Sequence, residues 1–106
     1  MRTGTPMTSG RLPPEVIQRV VRQNYGRFKG CYENGLRNNP SLAGRVAVRF
    51  VIGHDGDVSS VANGGSDLPD AGVVSCVTRA FYGLSFPHPE NGIVTVTYPI
   101  VFSPAN

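Results

Sequence analysis

Between Gly44 and Val58 the chain reads Gly-Arg-Val-Ala-Val-Arg-Phe-Val-Ile-Gly-His-Asp-Gly-Asp-Val, a stretch that fixes a β-hairpin together with its buried face. Val46, Val48, Phe50 and Ile52 alternate with Arg45, Ala47, Arg49 and Val51, the two-residue period of a strand with one side turned to a core. Asp55-Gly56 then predicts a two-residue type I′ turn, because both central residues need positive φ, which glycine takes freely and aspartate tolerates. The returning strand spans Val58 to Ala62. Its apolar residues Val58 and Val61 lie an odd number of positions apart, so the alternation slips and a bulge is expected near Ser59-Ser60.

Upstream, Pro13-Pro14-Glu15 opens a helix, with proline in the first turn and glutamate at the positive end of the dipole. Val16, Ile17, Val20, Val21, Phe28, Cys31, Tyr32 and Leu36 recur at spacings of three and four and mark one apolar stripe. Gly26 and Gly30 predict either a bend or a close approach to a neighbouring element, and Asn38-Asn39-Pro40 ends the helix. After the hairpin, Ser66 or Asp67 is the expected N-cap of a second helix with Pro69 in its first turn. Val73, Cys76, Val77, Ala80, Phe81 and Leu84 form its buried stripe, which stops near Gly83. The last element is a long strand from Ile93 to Phe102, where Val94, Val96, Tyr98, Ile100 and Phe102 alternate with Thr95, Thr97, Pro99 and Val101.

The order α-β-β-α-β predicts an α+β domain. Its three-stranded, antiparallel or mixed sheet has strand order 2-1-3, with two helices packed on one face. That order leaves the last strand at an edge, where Pro99 is tolerated because its missing donor points away from the sheet. Residues 11–104 make up the domain. Met1 to Gly10 is polar and rich in Gly, Thr, Ser and Pro, and reads as a disordered linker or expression remnant outside the fold. No run approaches the roughly 18 apolar residues of a membrane span.

Two cysteines, Cys31 and Cys76, stand far apart and belong to no Cys-x-x-Cys or Cys/His cluster, so zinc is not expected. Spacing leaves open two buried thiols or one disulfide, although both fall on helix stripes that share a sheet face. The net charge of +3 is mild and its basic residues are spread, unlike the dense stripe of a nucleic-acid binder. Arg19 and Arg22 read as a solvated helix face, with a cell-wall-binding or dimerisation module as the alternative role.

The assembled residues resemble the C-terminal domain of TonB-type energy transducers, and more closely the domain that ends myxobacterial AgmX/PglI-type gliding-motility proteins. The resemblance rests on Cys31-Tyr32-Glu33, Leu36, Pro40-Ser41-Leu42-Ala43-Gly44, Val46 to Ile52 with Asp55-Gly56-Asp57-Val58, Cys76, Phe86-Pro87-His88-Pro89 and Val94 to Phe102. It implies a periplasmic domain of an inner-membrane-anchored protein, coupled through that parent to a TolQ/TolR-like motor. Its partner would be an outer-membrane or periplasmic protein that presents an extended peptide. An oxidising periplasm favours the Cys31–Cys76 disulfide.

The resulting expectation is a non-enzymatic domain without cofactor, which takes up a partner strand along Ile93, Val94, Thr95, Val96 and Thr97 of the final edge, the alternative being that the N-terminal tail or self-association covers that edge. Beyond Pro99 that edge is blunted. A metal or acid/base site on His54, Asp55, Asp57, His88 and Glu90 is the competing reading, but a hairpin turn and a proline-flanked loop account for these residues more simply, and their spacing is not that of an EF-hand.

Overall fold

The computed structural model describes residues 2–4 and 7–104. Its elements follow in the order β1 (Arg2–Thr3), β2 (Met7–Arg11), α1 (Pro14–Gln23), α2 (Tyr25–Asn38), β3 (Gly44–Ile52), β4 (Val58–Asn63), α3 (Ala71–Ala80), a 3-10 turn (Phe81–Gly83) and β5 (Glu90–Phe102). The three long strands stand in the order β4-β3-β5, all antiparallel, which is the expected 2-1-3 arrangement. β3 pairs with β5 along its whole length, from Gly44 opposite Phe102 to Ile52 opposite Val94.

That register stacks Val46, Val48, Phe50 and Ile52 beside Ile100, Tyr98, Val96 and Val94 on one face, and all eight are fully buried. The helices cover this face. Ile17, Val21, Phe28, Cys31 and Tyr32 from α1 and α2, with Val73 and Val77 from α3, complete a single apolar cluster. Aromatic rings form its centre, with Phe81 lying 4.8 Å from Phe28 and 4.9 Å from Phe50, and Phe50 5.8 Å from Phe86.

The expected bulge is present. Val51 faces Ser60 while Ile52 faces Val58, so Ser59 is the extra residue. The turn differs from a two-residue type I′ loop. Gly56 N–H closes on Gly53 C=O at 2.9 Å, and Gly56 itself takes φ 92°, the pattern of a longer turn that ends in a left-handed glycine. This glycine is pinned from outside, since Phe86 N–H donates to Gly56 C=O at 3.0 Å and a Cβ here would come within 2.1 Å of Phe86 O. Gly56→Ala is expected to destabilise the domain by about 2 kcal/mol through φ alone, with more from the clash, as a thermal melt will show.

The first helical stripe is broken at Asn24, not at Gly26 or Gly30. Asn24 leaves helical geometry at φ −112° and ψ 16°, and its side-chain amide donates to Val20 C=O at 2.7 Å, competing with the backbone ladder. A Cβ at Gly26 or Gly30 would meet nothing within 4 Å, so close approach does not explain those glycines. The tight contact lies at Gly35 of α2, where a Cβ would sit 2.5 Å from Val73 Cγ2 of α3.

Nor do Ser66 and Asp67 cap α3. Asp70 does, accepting Val73 N–H at 3.0 Å. Ser66 and Asp67 instead accept backbone N–H groups of Ala47 (3.1 Å) and Arg45 (2.6 Å), sealing the start of β3.

Candidate functional site

β5 carries the residues expected to receive a partner. In an antiparallel ladder, backbone groups of successive residues point to alternate sides. Gly64 N–H donates to Ala47 C=O, which turns the backbone of Ala47, Arg49 and Val51 toward β4 and that of Val46, Val48, Phe50 and Ile52 toward β5. On β5 the partners of these last four, Val94, Val96, Tyr98 and Ile100, point back to β3. Thr95, Thr97, Pro99 and Val101 therefore aim their backbone groups outward.

The side chains divide in the same way. Val94 and Val96 are wholly buried, Thr95 and Thr97 are half-buried on the opposite face, and Ile93 is 61% exposed. Pro99 faces outward as expected, so its missing N–H removes no bond to β3.

The outer flank is nevertheless occupied within the chain, and here the structure corrects the sequence reading twice. β2 lies antiparallel on β5, with Met7 opposite Thr97, Thr8 opposite Val96 and Ser9 opposite Thr95. Further along, Arg2 and Thr3 of β1 face Val101 and Ile100, and Gly4 N–H donates to Pro99 C=O at 3.0 Å. β5 is thus an inner strand, and much of the segment assigned to a linker is part of the sheet; Met1, Thr5 and Pro6 lie outside the described residues. The physical reason is that a rim strand is held by main-chain hydrogen bonds, which require no apolar alternation.

Between Ser9 and Arg11 the pairing shifts, and Arg11 meets Glu90. Ile93, with Asn91 and Gly92, falls in this irregular stretch and has no β2 partner in the register. Met7, Ser9 and Gly4 belong to the site and were not legible as such. Gly4 is also sterically specified, because a Cβ there would fall 2.7 Å from Pro99 Cγ.

Cys31 and Cys76 form a disulfide with a Cα–Cα distance of 5.7 Å. It ties α2 to α3 next to the Gly35–Val73 contact, with Cys31 buried and Cys76 at the surface. Tyr32, one residue on, donates its hydroxyl to Leu42 C=O and so anchors α2 to the loop before β3. Burial pushes its phenol above the ordinary tyrosine pKa.

His54, Asp55 and Asp57 sit in the hairpin turn, and His88 and Glu90 follow the Phe86 contact, all exposed. Asp55 Oδ1 accepts Asp57 N–H, an ordinary turn bond. Among the described residues no three His, Cys, Asp or Glu side chains converge on a point that would hold a metal ion. Among them, too, no helix is long and apolar enough to cross a membrane.

No protein-family profile matches the chain, and no curated protein matches it. Among solved structures it is similar to the NMR solution structure of Helicobacter pylori TonB-CTD, residues 179–285. The likeness has a TM-score of 0.51 at 19% identity and covers 87% of this chain and 83% of that one. The chain therefore has the α+β fold of a TonB C-terminal domain, with its strands in the order 2-1-3.

Proposed function

We propose that this chain is a non-enzymatic protein-binding domain of a TonB-like energy- or force-transducing protein. It works in the periplasm and takes up an extended segment of an outer-membrane or periplasmic partner along Ile93 to Thr97. The incoming strand replaces Met7–Arg11. One observation carries this reading: Thr95 and Thr97 aim their backbone donors and acceptors outward, and the flank they form already holds an antiparallel strand, broken into two short pieces with an irregular register.

Two further facts support it. The fold is that of a domain from a TonB protein, and a disulfide suits an oxidising compartment. Within that class, the paired cysteines and the Tyr98-Pro99-Ile100-Val101-Phe102 ending favour the gliding-motility type, coupled to a TolQ/TolR-like motor through its membrane-anchored parent.

A displaced cis strand imposes a measurable tax. The apparent affinity falls about tenfold for each ~1.4 kcal/mol by which Met7–Arg11 stabilises its pairing. Peptides tiled across candidate outer-membrane partners, titrated against the full chain and against a variant lacking residues 1–11, are expected to shift the amides of Ile93–Thr97 in both and to bind the shortened chain more tightly. Equal affinity, or shifts absent from β5, overturns the proposal.

A further inference from the structure

The opposite border of the sheet carries a second docking surface, which we infer binds an extended, alternately apolar segment of a partner polypeptide bearing a carboxylate at its C-terminal end. Among the described residues no strand pairs with β4 on its outer side. Ser60, Ala62 and Gly64 turn their backbone groups toward β3, so Val61 and Asn63 turn theirs outward. This border already accepts extended backbone in cis. Asp57 forms an antiparallel bridge with Ser85, and Phe86 N–H donates to Gly56 C=O at 3.0 Å. That pairing lies just before β4 begins, and a partner running in the same direction as Leu84–Phe86 would lie along Val61 to Asn63.

What lies beside those outward groups specifies the occupant. A groove of about 730 Å³ runs between β4 and α3, lined by Val61, Leu68, Val74, Thr78, Arg79 and Tyr82. Val61 and Val74 are only partly covered, and Tyr82, 53% exposed, is one of two large apolar side chains left open on the described surface. A strand edge flanked by a helix with an apolar floor accepts main-chain hydrogen bonds on one side and every second side chain on the other.

The charges set the polarity. Asp70 stands at one end of the groove and is committed to capping α3, whereas Arg79 stands near the other end, beside Tyr82. α3 runs antiparallel to β4, so a strand antiparallel to β4 brings its C-terminal end to Arg79, where a carboxylate complements the guanidinium.

The test uses the oxidised full chain, labelled with 15N, and a blocked synthetic peptide, acetyl-Thr-Val-Thr-Val-Thr-Glu-amide, beside its counterpart ending in Lys. The Glu peptide is expected to shift the amides of Val61, Asn63, Val74 and Tyr82 and to bind about fivefold more tightly than the Lys peptide. Arg79→Glu is expected to reverse that preference. Val61→Pro removes an outward N–H without removing a ladder bond and is expected to abolish binding. If that variant fails to fold, Tyr82→Ala, a change at an exposed ring, decides the matter by weakening binding while the rest of the spectrum stays unchanged. Shifts confined to Ile93–Thr97, equal affinity for the two peptides, or no shift at millimolar peptide overturns the inference. So do concentration-dependent shifts at the same amides without peptide, which would make the occupant a second copy of this chain.

Discussion

Phe50→Ala is expected to lower the stability of the oxidised domain by about 3 to 5 kcal/mol, measured by urea denaturation. Phe50 is wholly buried at the middle of β3, the strand that both other long strands pair with, facing Val96 on one side and Val61 on the other. Its ring touches Phe81 and Phe86, and Phe81 in turn stacks on Phe28 of α2. Truncation therefore removes transfer free energy and leaves a cavity bounded by rings that cannot all move inward, since Phe86 is held by its backbone bond to Gly56. A domain of this size has roughly 5 to 15 kcal/mol to lose, so the substitution removes a large share of its whole stability. Phe50→Leu, which keeps most of the volume, is expected to lose far less. A loss below about 1 kcal/mol for the alanine variant would show that this aromatic cluster does not organise the core.

The second large effect comes from the covalent link. The Cys31→Ser, Cys76→Ser double variant is expected to lose about 4 kcal/mol, the chain-entropy value for the loop of 45 residues that the bond closes. Its denaturation slope is expected to rise as well, because the unfolded chain without the bond exposes more surface to urea. The two signatures separate this origin from lost packing. If stability falls while the slope stays fixed, the bond acts through native contacts around Gly35 and Val73 and not through the unfolded ensemble.

How much of this was legible in the sequence depended on what kind of force holds each part. Val46 to Ile52 and Val94 to Phe102 announce their buried faces because burial selects apolar side chains at every second position, and the structure buries those residues. The odd spacing of Val58 and Val61 located the bulge for the same reason. Where hydrogen bonds decide, residue type is a weaker guide. Ser66, Asp67 and Asp70 are all competent N-caps, and the two that come first are drawn away by the open N–H groups of Ala47 and Arg45. Asn24 breaks the first helical stripe through its own side chain, while the more conspicuous glycines at 26 and 30 remain helical.

The candidate site shows the same division. That Thr95 and Thr97 face outward followed from alternation and from Pro99, but the identity of the neighbour did not. Met7 to Arg11 has the composition of a linker and pairs through its backbone, a property common to nearly every residue. Only the clash that a side chain at Gly4 would make with Pro99 leaves a trace in residue choice, and glycine in a Gly/Thr/Ser-rich stretch does not draw notice.

The Cys31–Cys76 bond also determines how the domain carries tension. A pull entering through α1 and leaving through β5 crosses from α2 to α3 through sulphur, so the residues between the two cysteines, β3 and β4 among them, bear no stretching along their own backbone. With a sequence separation of 45 residues, about 150 Å of contour stays locked while the bond holds. β1 and β2 lie outside that bypass. A load drawing Arg2 away from the sheet meets its pairings in series, Val101 first and Thr95 later, and peels them one at a time while the cross-linked body stays shut.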